Sequence, residues 1–355
     1  MQSATQPAAV ARRGALLGLA AAVSFGVSAP LAKLLLADIR PVQLAGLLYL
    51  GAAAGLWLQR LLARETREAA LTRADLPRLA GIVLSGGVCG PILMLLGLER
   101  VNALTGSLLL NLEAPFTVLL AVLLFRDHVG PRVLVALLCI CGGAAILQLP
   151  GGSSGSGDPL GALWIALGCA CWALDNNLTQ QLSLRDPFAI VRIKTLVAGV
   201  TNTLLGVLMT GAHLPAPRLL GSALLLGSIS YGCSVVLDAY ALRAIGAARE
   251  AAYFSSAPFI GALASWLLGS ELGWLEGLAL LTMAFGVALL LRERHGHLHQ
   301  HEELEHEHLH LHDEHHAHEH APGTPGEPHT HRHRHEPLVH DHVHAPDAHH
   351  RHSHH

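Results

Sequence analysis

The stretch Glu113-Ala114-Pro115-Phe116 opens an apolar run that ends at a short charged turn, Arg126-Asp127-His128. A second stretch, Ser256-Ala257-Pro258-Phe259, opens another apolar run, which ends at Gly269-Ser270-Glu271. After each turn comes one more apolar segment with a glycine near its end, and the two prolines are 143 positions apart. The same features in the same order at a fixed separation indicate an internal repeat. The chain is therefore predicted to consist of two related halves.

The composition indicates a membrane protein. Of the 355 residues, 51% are hydrophobic and 14% are charged, whereas soluble domains carry about 25% charged residues. The apolar residues form blocks of about 20, the length that crosses a bilayer core of roughly 30 Å. Arg12 and Arg13 precede the first block, which has no clear small-residue cleavage site, so this block is predicted to be a membrane span and not a signal peptide. All six cysteines lie in apolar blocks and are interpreted as packing residues.

Hydropathy predicts an all-α integral membrane fold of ten transmembrane helices followed by a disordered tail. The predicted spans are 14–37, 41–62, 79–98, 101–124, 131–149, 160–182, 188–210, 219–242, 246–269 and 273–292. The predicted domains are an N-terminal segment (1–13), a first five-helix repeat (14–149), a flexible Gly/Ser linker (150–159), a second five-helix repeat (160–292) and the tail (293–355).

Arginine placement predicts the topology, because cytoplasmic loops carry an excess of Arg and Lys. With the N terminus inside, the inside loops hold most of the loop arginines, and the outside loops hold only Arg40, Arg100 and Arg218. Both termini are therefore predicted to be cytoplasmic, in a multi-pass protein of the cell membrane. Five spans per half is an odd number, so the second half enters the bilayer inverted relative to the first, an arrangement that recurs in secondary transporters.

These features resemble the drug/metabolite transporter superfamily, and specifically its EamA-type permeases. The resemblance rests on the two Ala-Pro-Phe triplets, on Trp172 followed by Asn176-Asn177, on Arg192 five residues after Pro187, and on the glycine-rich last helix of each half. It covers about residues 14–292 as two copies of a five-helix unit. The first half departs from the pattern at Gly46, where an arginine would correspond to Arg192. The resemblance implies alternating access and transport of small organic metabolites or drugs.

Charged and polar residues inside the spans are predicted to form the substrate site, because a charge at the centre of a span costs several kcal/mol. On a helix, Trp172, Asp175, Asn176 and Thr179 share one face, which suits a polar or zwitterionic ligand. The full predicted set is Glu113, Trp172, Asp175, Asn176, Thr179, Arg192 and Lys194.

Structural roles remain as alternatives for several of these charges. Lys33 and Lys194 can extend to an interface, and Arg192 can form a structural pair with Asp175 or Asp238. Asp238 itself lies near the end of its span. Burial favours the protonated form of a carboxylate, so Glu113 or Asp175 is predicted to exchange a proton during transport.

Three prolines lie inside predicted spans and leave backbone carbonyls without a donor. They are predicted either to kink their helices or to act as hinges for the transport motion. These residues are Pro30, Pro115 and Pro258.

The tail has a different character from the rest of the chain. Of the 26 histidines, 24 lie between His295 and His355, many as His-x-His and interleaved with carboxylates. Imidazole binds Zn(II), Ni(II) and Co(II), so the tail is predicted to bind these ions; a pH-responsive charge brush is the alternative. The predicted metal ligands are His306, His308, His310, His312, His315 and His316. No cofactor is predicted to be required.

Two functions follow from these observations. The first is a secondary transporter of small polar metabolites or drugs with a metal-binding regulatory tail. The second is a transporter of divalent metal cations, in which Glu113, Asp175 and Asp238 are ligands. A scaffold or sensor is a third class, whereas an enzyme is not predicted, since no nucleophile–base pair or cofactor loop is evident. The predicted partners are the lipid bilayer, a small molecule and, at the tail, metal ions; a homodimer stays open and no nucleic acid is expected.

Overall fold

The structure of the chain is a computed structural model. The described residues are 5–62, 69–125, 129–153, 157–182, 185–211, 214–245 and 247–292, with four tail segments, 296–300, 304–310, 329–335 and 339–343. The turn at 126–128 and the histidines His312, His315 and His316 lie outside these residues.

Helices make up the body of the protein. The first half contains α1 (Thr5–Gly26), α2 (Ser28–Leu35), α3 (Pro41–Leu62), α4 (Leu76–Ile82), α5 (Gly90–Arg100), α6 (Ala103–Leu109), α7 (Glu113–Phe125) and α8 (Pro131–Ile146). The second half contains α9 (Pro159–Gln180), α10 (Pro187–Thr210), α11 (Pro217–Gly227), α12 (Ser234–Ile245), α13 (Ala247–Phe254), α14 (Ala257–Leu267) and α15 (Trp274–Leu291). Short 3₁₀ turns cover Arg73–Asp75 and Leu110–Leu112, and π-helical segments cover Val83–Cys89 and Ser228–Cys233.

Among the described residues, seven helical stretches are long and apolar enough to cross a membrane. The stretches are Arg12–Leu35, Pro41–Leu62, Arg73–Arg100, Ala103–Leu123, Pro187–Met209, Pro217–Leu242 and Trp274–Leu291. Helix α8 is apolar but only 16 residues long, and α13 and α14 are separate helices of 8 and 11 residues. A multi-pass membrane protein is therefore confirmed, while the count of ten spans stays a prediction.

Several of the spans are built from two helices that meet at a break. Pro30 is the third residue of α2, Pro115 the third of α7, and Pro258 the second of α14. A proline is tolerated in the first turn because an N–H at that position has no partner within the helix. Each of the three prolines therefore lies in the first turn of a helix that follows a local irregularity, and the choice between a kink and a hinge stays a prediction.

Helices of the two halves interleave. Helix α3 packs along α10, α8 along α15, α1 along α12, and α5 along α9. Glycines permit the close approach: a Cβ at Gly51 would overlap the backbone of Leu224, and one at Gly227 would overlap that of Leu48. Most of the tight helix contacts therefore join one half to the other, and cavities between the halves are enclosed by both.

The linker between the halves is anchored at Ser153. Its N–H and Oγ both donate to Oε1 of Glu276, at 2.8 and 2.7 Å, and the side chain of Glu276 is fully buried. Asn102 donates to Oγ of Ser153 at 3.2 Å, while Gly151 has a φ of 100°, which glycine adopts without strain. A buried carboxylate of α15 therefore holds Ser153, while the flexible linker at 150–159 stays a prediction.

Asp158 starts the second half as the N-cap of α9. Gly161 N–H donates to its Oδ1 at 2.9 Å, and Arg100 forms an ion pair with its Oδ2 at 2.9 Å. The hydrogen bond from Gly161, followed by Arg100, lowers the pKa of Asp158 below its ordinary value.

The described part of the tail forms two antiparallel strand pairs. Strand β1 (Gly296–Gln300) pairs with β4 (Val339–Val343), and β2 (Leu304–His310) pairs with β3 (His329–His335). In this register, His306, His308 and His310 lie opposite His333, His331 and His329. The sequence predicted no regular structure here, but the His-x-His alternation has the two-residue period of a strand, which an argument from hydropathy overlooks.

Candidate functional site

A cavity of ≈ 170 Å³ lies between the two halves. Helices α1, α3 and α7 supply its wall from the first half, and α9, α10, α12, α13 and the segment Ser228–Cys233 supply it from the second. Its lining is formed by Phe25, Tyr49, Glu113, Trp172, Asp175, Asn176, Val191, Lys194, Thr195, Tyr231, Ser234, Val235 and Phe254.

An ion pair occupies one side of the cavity. Lys194 Nζ donates to Oδ2 of Asp175 at 2.8 Å, and Thr179 Oγ1 donates to its Oδ1 at 3.2 Å. Asp175 lies in the last two turns of α9 and Lys194 at the start of the third turn of α10, so the short connection between these helices brings the two side chains together. Asp175 is 4% exposed, and its carboxylate packs against Gly86, where any Cβ would overlap it.

Glu113 is the second carboxylate of the cavity. It is the first residue of α7, where the positive end of the helix dipole favours a negative charge. Asn176 Nδ2 donates to its Oε1 at 2.7 Å. Three charged residues line the cavity. Lys194 forms an ion pair with Asp175, so Glu113 is the one of the three that has no oppositely charged partner at ion-pair distance among them.

A group of aromatic residues, here called the aromatic wall, forms another part of the lining: Phe25, Tyr49, Trp172, Tyr231 and Phe254. The ring centroid of Phe25 lies 5.8 Å from that of Tyr231 in an edge-to-face arrangement, and 5.4 Å from that of Phe254. The centroids of Tyr49 and Tyr231 are 5.9 Å apart. Together with Trp172, these rings line the same cavity as the Glu113 carboxylate.

A π-helical segment organises the polar groups of this wall. The carbonyl of Gly86 accepts hydrogen bonds from Tyr49 Oη at 2.7 Å and from Trp172 Nε1 at 3.1 Å. Pro91 follows five residues later and has no N–H to donate back into the preceding turn. Side chains therefore supply the donors that the backbone lacks, and Asn202 Nδ2 does the same for the carbonyl of Gly87 at 3.1 Å. Such π segments are frequent at functional sites.

Five of the seven predicted site residues line the cavity, namely Glu113, Trp172, Asp175, Asn176 and Lys194. Thr179 contacts the site only through Asp175. Arg192 lies outside the cavity lining, where it pairs with Asp186 at 3.2 Å. Neither Asp175 nor Asp238 is its partner at ion-pair distance, so the structural alternative holds for Arg192, but with an aspartate six residues away on its own helix.

Sequence reasoning missed the aromatic wall apart from Trp172. Phe25, Tyr49, Tyr231 and Phe254 looked like ordinary apolar residues of a span. The signal that could have found two of them is the tyrosine hydroxyl, which needs a partner when it is buried; both Tyr49 and Tyr231 are buried, and the Tyr231 hydroxyl lies 3.4 Å from Oγ of Ser28.

The other residues considered as ligands of a divalent cation do not lie together. Asp238 on α12 lies close to Glu250 on α13, outside the cavity lining. Cys169 Sγ approaches the carbonyl of Leu109 at 3.8 Å. Within the part of the chain that the structure describes, no three His, Cys, Asp or Glu side chains are grouped so as to hold a metal ion.

Comparisons with known proteins agree with this architecture. The model of the EamA-like transporter family matches residues 12–149 and again residues 159–292. An uncharacterized transporter of Methanothermobacter thermautotrophicus is 29% identical over 293 residues, which cover 77% of this chain and 84% of the relative. The uncharacterized inner membrane transporter YedA of Escherichia coli is 29% identical over 150 residues, 41% of this chain and 49% of that protein.

A crystal structure of another protein shares the fold. It superposes with a TM-score of 0.55 at 17% identity and covers 79% of this chain and 97% of its own. The two family matches together span most of the chain and meet at the linker that Ser153 anchors. The chain belongs to the EamA-like transporter family.

Proposed function

We propose that the protein is a secondary transporter that moves small polar metabolites or drugs through the cavity between its halves. The observation that supports this proposal is the Glu113 carboxylate, which lines an aromatic cavity enclosed by helices of both halves. The cysteine thiols and carboxylates of the described residues form no group suited to a metal ion, so the same cavity favours an organic substrate over a divalent cation.

We further propose that the ten spans form two inverted five-helix repeats, with both termini in the cytoplasm. Two observations support this arrangement. The packing of α1 on α12 has a counterpart in the packing of α9 on α5, with the roles of the halves exchanged. The π segments Val83–Cys89 and Ser228–Cys233 occupy corresponding spans and contain Ser-Gly-Gly and Ser-Tyr-Gly at matching places. Reagents that label cysteines placed at residues 2 and 355 from the same side of the membrane would agree with it.

Glu113 is the proposed site of proton coupling. Its Oε1 accepts from Asn176, which leaves Oε2 to hold a proton or to bind substrate, but not both at once. Asp175 is less suited to this task, because its Oδ2 accepts from Lys194 and its Oδ1 from Thr179. Pro30, Pro115 and Pro258 stand at the breaks between helices, where a change in backbone angles would open one end of the cavity and close the other.

The test is transport by the full-length protein in proteoliposomes with an imposed pH gradient and a panel of metabolites. Glu113→Gln keeps the shape of the side chain and is expected to reduce gradient-driven uptake at least tenfold. Glu271→Gln is the matched control, since Glu271 is exposed in the turn before α15. Gradient-driven uptake that survives Glu113→Gln at the parent rate would remove Glu113 from this role.

For the tail, we propose Zn(II) and Ni(II) binding that regulates transport without supplying the pathway. Titration calorimetry with Zn(II) on the full chain and on residues 1–292 is expected to show most of the bound ions lost with the tail. Metabolite uptake by the shortened protein is expected to persist. Zn(II) uptake that persists after truncation would instead favour transport of the metal itself.

A further inference from the structure

The donors of the aromatic residues are used within the protein. Tyr49 and Trp172 donate to the carbonyl of Gly86, and the Tyr231 hydroxyl is directed towards Ser28. On the polar side of the lining, the amide of Asn176 and the ammonium of Lys194 each donate to a carboxylate and keep further N–H groups. A ligand beside the aromatic residues therefore meets their rings and the Glu113 carboxylate, and not a hydroxyl or indole N–H that is free to donate.

The charged side chains of the lining, two carboxylates and one ammonium, favour a positively charged ligand. Lys194 and Asp175 neutralise one another at 2.8 Å, and their side chains are 18% and 5% exposed, so neither is presented freely to a ligand. Glu113 contributes one further negative charge. A cavity of low polarity with one uncompensated carboxylate is most stable when a single positive charge enters it.

We propose that the transported substrates are small monovalent organic cations, bound with the positive group between Glu113 and the rings of Phe25, Tyr231 and Phe254. This inference rests on the proposed transport function and names its substrate class. A cation over an aromatic face is attracted by the negative charge density of the ring, in addition to its attraction to the carboxylate. The cavity of ≈ 170 Å³ is close to the roughly 150 Å³ that accommodates benzene in an engineered protein cavity, so single-ring amines match it in size.

The first experiment measures binding by titration calorimetry with the purified full-length protein in detergent. The probes share one ring and differ in charge: benzyltrimethylammonium, phenylalanine and benzoate. We expect benzyltrimethylammonium to bind at least tenfold more tightly than the zwitterion or the anion. Glu113→Gln should weaken its binding at least tenfold, while Glu113→Asp retains most of it and Glu271→Gln leaves it unchanged.

A second variant tests the aromatic wall. Phe254→Leu keeps an apolar side chain of similar size and removes the ring, so the affinity for benzyltrimethylammonium should fall about threefold or more. Size-exclusion profiles and melting temperatures identify any variant that fails to fold, and the comparison of the three probes on the parent protein stands without the variants.

The outcomes separate this inference from the transport function. Tighter binding of phenylalanine or benzoate, equal binding of all three probes, or no binding of any of them overturns the cation assignment. Uptake of phenylalanine but not of benzyltrimethylammonium into proteoliposomes also overturns it, while leaving the transport function intact. Binding of the cation with no uptake of any compound would support the site and contradict the transport function.

Discussion

The ion pair between Lys194 and Asp175 gives a quantitative test of the cavity. At 2.8 Å and an effective dielectric constant of about 20, two unit charges attract each other by about 6 kcal/mol. Part of this attraction offsets the desolvation of two side chains that are 18% and 5% exposed. When Lys194→Met removes one partner, the other charge stays buried without compensation, and such losses cost about 3–5 kcal/mol.

A second substitution distinguishes the charge effect from a loss of packing. Asp175→Asn combined with Lys194→Met removes both charges and keeps a hydrogen-bonding group opposite Thr179. Replacing a buried pair by neutral residues is often nearly neutral in stability, so the double variant should recover most of the loss. Lys33→Met is the matched control, because Lys33 donates only to the carbonyls of Leu98 and Glu99 at the end of α5, an interaction worth about 0.3–1 kcal/mol.

The assay is the free energy of unfolding, measured for the purified protein by titration with denaturing detergent in mixed micelles. The expected order of stability is parent, Lys33→Met, double variant and then Lys194→Met. Two results would contradict this reasoning: a loss of less than about 1 kcal/mol of unfolding free energy in Lys194→Met, or a double variant no more stable than the single one. Lys194 and Asp175 would then not form a buried ion pair, and Glu113 would not be the one unpaired charge among the three charged lining residues.

Other predictions concern packing and the loop that joins the halves. Glu276→Ala removes the acceptor of two hydrogen bonds from Ser153, and should lower the free energy of unfolding by about 1–3 kcal/mol in the same assay. Gly261→Ala places a Cβ 2.6 Å from a backbone carbonyl of α1 and should destabilise the protein, whereas Gly277→Ala, with nothing within 4 Å of its Cβ, should be neutral or stabilising. Asp158→Ala should lower the melting temperature at pH 7, and the difference should shrink as the pH falls below about 4, since the lowered pKa of this N-cap carboxyl stabilises the folded state only while it is ionised.

The membrane architecture could be predicted because length and composition alone decide it. A block of about 20 apolar residues has few alternatives to a spanning helix, and each of the seven membrane-length stretches overlaps a predicted span. The exact breaks within spans could not be predicted, since a proline inside an apolar run is compatible with a kink or with a new helix. At Pro258 the helix that follows the break packs on α1 and α6 of the other half, and such contacts between distant segments cannot be read from local sequence.

Site residues could be predicted from the sequence where a charged side chain would otherwise face lipid. Glu113, Asp175 and Lys194 were predicted on this ground, and all three line the cavity. Arg192, predicted by the same reasoning, does not line the cavity, because Asp186, the N-cap of the same helix, pairs with its guanidinium at 3.2 Å. A charge in the first turns of a span can be neutralised locally, and only one farther along needs a cavity or a distant partner.

The arrangement of polar groups around the cavity depends on one helix turn that lacks a backbone N–H donor. Pro91 offers no N–H to the turn before it, and the carbonyl of Gly86 accepts from Tyr49 and Trp172 instead. These two bonds engage the hydroxyl and the indole N–H, and Glu113 is the lining carboxylate that no cation of the lining pairs at ion-pair distance. If Gly86 carried a side chain, its Cβ would overlap the carboxylate of Asp175, which is the partner of Lys194. The missing donor at Pro91 and the missing side chain at Gly86 are therefore both needed for this arrangement of Tyr49, Trp172 and Asp175, and the sequence encodes both in six residues.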